Sequence, residues 1–211
     1  MQQNIIKAID ERYSSLAGSS CCLSCGTALN FSSPEPGETG VDLGSGRGND
    51  VFKIAEIVGK KGLAVGIDIS EGMLDKARSR AEELNITNAT FIKSELEEIP
   101  LKNEVADFVI SNCTINHSHA KESVWKEIHR ILKKGGRFVV SDIYSLEAVP
   151  EEFRNDPAAV AECWAGAVRK DEYLNTILGT GFINLRILQE SEPYEKGKIV
   201  VASFTVYGEK Q

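Results

Sequence analysis

Short apolar runs of strand length alternate with segments of helical apolar spacing through most of the chain. The strand-like runs cover residues 40–43, 63–67, 89–92, 106–110 and 138–140. Helical spacing of apolar residues is found at 51–58, 73–84 and 124–132. Ser70 is placed to cap the second of these helices. Strands that alternate with helices in this way predict a parallel sheet with helices on both faces.

The second half of the chain adds a helix and two closing strands, at about 171–178, 183–188 and 199–206. The segment between the two strands is too short for a crossover helix, so we expect them to pair antiparallel. The helix that begins near Lys121 is expected to end at Gly135 and Gly136. We therefore predict an α/β, doubly wound sheet of seven strands with an antiparallel closing pair.

The chain has 211 residues, which is enough for one well-buried domain. Residues 17–36 are rich in Ser, Gly and Cys and do not follow the alternating pattern. We therefore expect residues 1–36 to form an N-terminal cap or lid segment with a cysteine cluster. Residues 37–211 are expected to form the ligand-binding domain.

Charge and hydropathy exclude several partners. The net charge is −7 and no block of Lys or Arg is present, which argues against nucleic acid. No run approaches the roughly 20 apolar residues of a membrane span, and residues 1–12 lack the apolar part of a signal peptide. We expect a cytoplasmic protein with no membrane partner. The five cysteines, an odd number in a reducing compartment, then favour metal, metalloid, redox or core roles.

Three glycines, Gly44, Gly46 and Gly48, separate the first strand from its helix. Such a turn leaves backbone N–H groups unpaired, and glycine lets a ligand approach them closely. A dinucleotide fingerprint would require glycine at position 49, where the chain has Asn49. Asp42 would repel a phosphate but suits a cationic ligand such as S-adenosylmethionine, which carries a sulfonium and an ammonium group.

Acidic residues also follow the next two strands. Asp68, 20 residues after Gly48, can accept hydrogen bonds from both ribose hydroxyls, or it can simply begin a turn. Glu95 can accept from an adenine amino group, or it can belong to a solvated acidic turn with Glu97 and Glu98.

Residues 41–48, 66–70 and 94–100 resemble the cofactor motifs of class I S-adenosylmethionine methyltransferases, and 132–136 resembles the turn before their fifth strand. This resemblance implies a Rossmann-like fold, with residues 37–211 as the cofactor-binding domain. It implies that the methionine part lies near Asp42, Gly44 and Gly46, the ribose near Asp68 and the adenine near Glu95. The full set of candidate cofactor-binding residues is Asp42, Gly44, Ser45, Gly46, Asp68, Ile69, Met73, Glu95, Leu96 and Asn112.

Three further segments, 11–22, 110–116 and 150–167, resemble the arsenite methyltransferases, which transfer methyl groups to trivalent arsenic. The resemblance implies that Cys113 and Cys163 bind arsenic. The segment between the Cys-Cys pair and the glycine turn is shorter than is usual in that family. Cys21, Cys22 and Cys25 therefore compete for the third arsenic position, with Cys22 preferred.

Thiolates suit this chemistry because trivalent arsenic is a soft centre. The arsenic lone pair carries no proton, so an in-line displacement on the sulfonium needs positioning rather than a general base. Methylation oxidises arsenic, which implies a disulfide in the cycle and a reductant of the thioredoxin or glutathione type.

Other interpretations remain open. Cys163, beside Trp164, is also compatible with core packing, and Cys22 and Cys25 have the spacing of a zinc half-site or a redox pair. His117 and His119, where the family has Leu and Pro, are interpreted as a turn and a helix cap. The rival functions are methyl transfer to a quinone precursor or a thiol, and non-catalytic binding of a metalloid by thiols.

Overall fold

The structure, a computed structural model, describes residues 2–18 and 26–211. The predictions made for Cys21, Cys22 and Cys25 lie outside these residues. The strands are β1 (Thr39–Leu43), β2 (Leu63–Asp68), β3 (Ala89–Lys93), β4 (Ala106–Asn112), β5 (Leu132–Ser145), β6 (Phe182–Glu190), β7 (Tyr194–Lys196) and β8 (Ile199–Lys210). The α-helices are α1 (Gln2–Leu16), α2 (Ala28–Ser32), α3 (Asn49–Val58), α4 (Glu71–Glu83), α5 (Lys121–Ile131), α6 (Glu151–Arg154), α7 (Pro157–Ala161) and α8 (Lys170–Gly179). Short 3-10 turns cover Gly59–Lys61 and Ile115–His117.

The strands form one sheet in the order β3-β2-β1-β4-β5-β8-β6. Strands β1 to β5 are parallel, and β8 runs antiparallel to both β5 and β6. The doubly wound sheet and its antiparallel closing pair are thus confirmed. The number of strands was wrong, because β7 adds an eighth strand that pairs with the start of β8. With only three residues, β7 is too short to show an alternating pattern of its own.

Helices cover both faces of the sheet because successive side chains of a strand point to opposite sides. In β4, Phe108 and Ile110 join one core cluster with residues of α3 and α4, whereas Val109 joins another with Trp125 of α5. All four of these side chains are fully buried. Burial on each face holds the helices against the sheet at roughly 1.5–3 kcal/mol for each large apolar side chain.

The end of α5 differs from the prediction. The helix ends at Ile131, and Leu132 is already extended and begins β5. Gly135 has a φ of +74° and lies where the β4–β5 pairing shifts register. The two glycines therefore form an irregularity within β5 rather than a helix stop, because a bulge uses the same left-handed conformation as a helix end.

The carboxyl ends of three parallel strands determine where the candidate site lies along the sheet. The register pairs Leu43 of β1 with Ile67 of β2 and with Ser111 of β4. The residues that follow these strands therefore meet at one edge of the sheet, at their carboxyl ends. Helix α1 lies beside this edge, where Ile5 and Ile9 pack in a third apolar cluster with residues of α7.

Candidate active site

The glycine turn is held open toward a cleft at the carboxyl edge of the sheet. The backbone N–H groups of Gly44 and Ser45 both donate to Ile67 O, at 2.8 and 3.0 Å. Gly44 and Gly46 have φ angles of +75° and +52°. A Cβ on Gly44 would collide with the side chain of Thr114, whereas one on Gly46 would meet nothing within 4 Å. Gly46 therefore exposes its backbone to open space.

Buried carboxyl groups surround this turn. Asp42 is 4% exposed, and burial, with additional repulsion from Asp50 and Asp68, raises its pKa well above the ordinary value. Asp68 accepts from the N–H groups of Gly46 and Ser70, both at 2.8 Å, and burial raises its pKa as well. The structural role considered for Asp68, in the turn before α4, is therefore present. The cluster favours a ligand that brings positive charge.

The structure brings every candidate cofactor-binding residue to this cleft. It is lined by Asp42, Gly44, Ser45, Gly46, Asp68, Ile69, Met73, Glu95, Leu96 and Asn112. Cys113 lines it too, together with Ile5, Ile9 and Tyr13 of α1. The hydroxyl of Ser45 is buried there without a hydrogen-bond partner. The cleft thus offers backbone, carboxylate and hydroxyl groups beside an apolar wall.

Asn112 connects the cleft with the chain that follows the undescribed segment. Its Oδ1 accepts from Ala28 N and its Nδ2 donates to Asp50 Oδ2, each at 3.2 Å. A Cβ on Gly26 would overlap the Asn112 side chain. Asn112 therefore fixes residues 26–28 against the end of β4, next to Cys113.

The structure also brings Cys113 and Cys163 together. The Cys163 Sγ donates to the backbone carbonyl of Cys113. Both residues adopt left-handed backbone conformations, with φ angles of +56° and +76°. That conformation costs roughly 1–2 kcal/mol for a residue with a Cβ, and such strain is most often kept at functional sites. Cys163 is 4% exposed, so it has the burial expected of a core residue, and it contacts Cys113 and His117, which line the cleft.

His117 is the main site residue that the sequence interpretation missed. Its Nδ1 lies 2.9 Å from Val160 O, so Nδ1 carries the proton and Nε2 is an acceptor. Nε2 lies 3.3 Å from Cys163 Sγ and 3.2 Å from Tyr13 OH. Burial lowers the pKa of His117 to about 4, which keeps the ring neutral at pH 7.

The predicted turn at His117 is confirmed, since the residue closes a 3-10 turn. The helix-cap interpretation was wrong, because Ala120 occupies the N-cap of α5 and its N–H donates to Ser118 Oγ. Tyr13 belongs to the segment 11–22 that resembles the arsenite methyltransferases. Nothing in the local sequence indicates that its hydroxyl would meet a ring 104 positions away.

A cluster of buried polar side chains joins the chain that follows Cys113 to β5. Asp142 accepts from Asn116 Nδ2 at 2.8 Å and from Tyr173 OH at 3.2 Å. Burial raises the pKa of Asp142 to about 6. Lys121 Nζ donates to Ser118 O and Gly166 O, and burial lowers its pKa to about 8.

The described part of the chain contains neither a metal-binding group of side chains nor a membrane-spanning helix. Within residues 2–18 and 26–211, no group of three or more His, Cys, Asp or Glu side chains could hold a metal ion. Over the same residues, every helix is too short or too polar to cross a membrane.

Comparison with known proteins agrees with these features. An arsenite methyltransferase of Halobacterium salinarum is 34% identical to this chain, over 84% of this chain and 46% of the relative. The human arsenite methyltransferase is 35% identical over 70% of this chain and 42% of the relative. The chain thus spans less than half the length of either relative.

The crystal structure of CrArsM, an arsenic(III) S-adenosylmethionine methyltransferase from Chlamydomonas reinhardtii, matches with a TM-score of 0.76 and 27% identity. The match covers 94% of this chain and 73% of that one. The predicted Rossmann-like fold and both resemblances are thereby confirmed. Residues 34–192 match a family model described as a methyltransferase domain. Because this model matches most of the chain, the protein belongs to the methyltransferase domain family.

Proposed function

We propose that this protein transfers a methyl group from S-adenosylmethionine to trivalent arsenic held by cysteine thiolates. The observation that carries the proposal is the contact of Cys163 with Cys113, which lines the cleft together with the candidate cofactor residues. The arsenite methyltransferase relatives support the same substrate. Cys22 is the preferred third arsenic ligand, with Cys21 and Cys25 as alternatives.

The cleft fits S-adenosylmethionine. Its sulfonium and ammonium groups match the carboxyls of Asp42 and Asp68, whose pKa values are raised chiefly by burial and which a bound cation would favour in the charged form. The buried hydroxyl of Ser45 is available for a ligand. Asp68 Oδ2 accepts from the N–H of Gly46 and Oδ1 from that of Ser70, and the carboxyl keeps lone pairs for a ribose hydroxyl. Glu95 is assigned to the adenine.

When bound, S-adenosylmethionine supplies an electrophilic methyl group on its sulfonium. The protein holds the nucleophile: each thiol replaces one As–O bond by an As–S bond, and its proton leaves with the released oxygen as water. His117 Nε2 lies in contact with Cys163 Sγ and helps to orient that side chain. Thiolate ligation leaves the arsenic lone pair free to attack, so the main catalytic contribution is positioning.

The cycle requires electrons as well. Transfer of a methyl cation to arsenic raises its formal oxidation state by two, and two thiols that form a disulfide can return both electrons. A thioredoxin or glutathione reductant then regenerates the thiols. A cycle of this kind needs a reducing compartment, and we propose the cytoplasm.

We also assign residues 1–36 as the cap of this site. Ile5, Ile9 and Tyr13 of α1 face the cleft and provide much of its apolar wall. Ser14 Oγ accepts from Gly72 N at 3.3 Å and lies 2.9 Å from Ser70 Oγ, which joins α1 to the start of α4. A cap of this kind would keep water from the methyl group.

The direct test is methyl transfer from labelled S-adenosylmethionine to arsenite with excess thiol, comparing wild type with Cys113→Ser and Cys163→Ser. We expect methylated arsenic from wild type only, with cofactor affinity unchanged in both variants. Lys126→Met, on the exposed side of α5, is the control and should keep full activity. Cofactor binding by wild type without arsenic methylation would refute the assignment and leave the quinone-precursor, thiol-substrate or non-catalytic alternatives.

A further inference from the structure

Two segments carry the arsenic-binding cysteines, and one lysine joins them. We call residues 113–120 the Cys113 loop and residues 162–168 the Cys163 loop. Lys121 Nζ donates to Ser118 O of the Cys113 loop at 2.7 Å and to Gly166 O of the Cys163 loop at 2.6 Å. Its acceptors are main-chain carbonyls that follow the two cysteines by five and three residues.

The two loops touch backbone to backbone at the same place. A Cβ built on Gly166 would lie 1.7 Å from Asn116 O, so only glycine permits this approach. Asn116 itself is fully buried and donates to Asp142 Oδ1 and Ile143 O, at 2.8 and 2.7 Å. The hydrogen bonds of Asn116 therefore fix the Cys113 loop to β5. Those of Lys121 fix the Cys163 loop to the Cys113 loop.

The helix itself does not account for this lysine. Lys121 is the first residue of α5, where the partial positive charge of the helix N-terminus disfavours a cation. Its side chain is partly buried, and removing an ammonium group from water costs free energy unless hydrogen bonds replace the lost solvation. Both disadvantages are offset by the hydrogen bonds to the two loops and by attraction to the carboxylate of Asp142.

We propose that Lys121 is a positioning residue that sets the separation of Cys113 and Cys163, so that both sulfur atoms reach one arsenic atom. This inference rests on the proposed function for its biological meaning. The proposed effect of Lys121 on the separation of the two cysteines can be tested without measuring methyl transfer. Lys121 does not line the cleft and acts through the two loops.

Phenylarsine oxide provides the test, because it is a trivalent arsenical with only two exchangeable positions. It loses its oxygen as water when two thiols form two As–S bonds, so its affinity reports the closeness of a thiol pair. The full chain is used with Cys21, Cys22 and Cys25 changed to Ser, which leaves Cys113 and Cys163. Binding is followed by the fluorescence of Trp164, which adjoins Cys163.

Lys121→Met is compared with Lys126→Met, an exposed lysine of the same helix that pairs with Glu122. We expect Lys121→Met to lower the affinity for phenylarsine oxide at least tenfold and Lys126→Met to change it less than twofold. Both should bind S-adenosylmethionine within twofold of the parent. Lys121→Arg, which can donate to the same carbonyls, should recover at least half of the lost binding energy.

Unchanged phenylarsine oxide binding in Lys121→Met would overturn the inference. An equal loss of cofactor affinity would overturn it too, because the lysine would then support the whole domain rather than the two loops. Failure of the proposed function has a different signature: wild type would bind phenylarsine oxide with the predicted dependence on Lys121 but would not methylate arsenite.

Discussion

Cys163 Sγ donates a hydrogen bond to the backbone carbonyl of Cys113, although the two residues are 50 positions apart. The contact depends on left-handed backbone at both cysteines, which turns each loop back toward the other. Strain in the backbone is thus coupled to the placement of the thiols. The first prediction follows from this coupling.

Glycine at position 113 should be tolerated better than alanine. At an ordinary position glycine is less stable than alanine by about 0.5–1 kcal/mol, but the left-handed conformation costs a residue with a Cβ roughly 1–2 kcal/mol. We therefore expect Cys113→Gly to have a free energy of unfolding equal to that of Cys113→Ala or up to about 1 kcal/mol higher. Urea unfolding under reducing conditions measures the difference. The usual order, with the glycine variant clearly weaker, would show that the strain is absent.

Burial of His117 should contribute a loss of stability in mild acid, which opposes the contribution of Asp142, whose pKa burial raises to about 6. The folded-state pKa of His117 is about 4 and the unfolded value is 6.5, so the unfolded chain binds more protons between these values. The stability that His117 contributes is therefore fully present above pH 6.5 and is lost as the pH drops toward 4. His117→Gln should flatten this dependence most, whereas His119→Gln, at an exposed position where partial burial also lowers the pKa, should flatten it less. Urea unfolding of wild type and the two variants at pH 7 and pH 5 tests this prediction. Equal losses of unfolding free energy in all three proteins would exclude His117 as the cause.

Local patterns were sufficient to predict the sheet and one side of the cleft. The Ser70 cap is present, with its side chain accepting from Met73 N, and the acids Asp42 and Asp68 lie at strand ends as expected. These features depend on residues close in sequence, where periodicity and turn chemistry act directly.

The contacts of His117 and Lys121 could not be predicted in the same way. Each joins segments that are more than 40 positions apart, and their meeting depends on the left-handed turn at Cys163 and on the bare Cα of Gly166. A cysteine in the sequence does not by itself indicate a left-handed turn, and a glycine does not by itself indicate close contact between two loops. Sequence reasoning identified the two cysteines through a family resemblance, whereas the groups that hold them in place required the structure.

Gly46 and Gly37 allow backbone strain to be separated from ligand contact. Both have left-handed backbone, with φ angles of +52° and +92°, and a Cβ at either would meet nothing within 4 Å. Alanine at either position should therefore destabilise the fold by a similar roughly 1–2 kcal/mol. Only Gly46→Ala places a methyl group in the cleft, and we expect it to weaken S-adenosylmethionine binding at least tenfold.

Isothermal titration of S-adenosylmethionine, with urea unfolding of the same samples, measures both quantities for the glycine pair. Equal cofactor affinity in the two variants would mean that the ligand does not approach the backbone at Gly46. A loss of affinity in Gly37→Ala as large as that in Gly46→Ala would attribute the effect to strain alone.

The raised pKa of Asp42 should make cofactor binding depend on pH. Burial and the neighbouring carboxyls favour the protonated form in the free protein, whereas a sulfonium and an ammonium favour the carboxylate. Affinity for S-adenosylmethionine should therefore weaken as the pH falls, since a larger share of the protein must release a proton before it can bind the cation.

Asp42→Asn removes the charge while it keeps the shape of the side chain. We expect it to bind S-adenosylmethionine at least tenfold more weakly at pH 8, which corresponds to about 1.4 kcal/mol, and to lose most of the pH dependence. Glu56→Gln, at an exposed position of α3, is the matched control and should behave as wild type. Titrations between pH 6 and pH 8.5 test the idea. If the affinity of Asp42→Asn follows the wild-type pH profile with the same slope, the proton is released from another group, and Asp42 does not hold the positive charge of the cofactor.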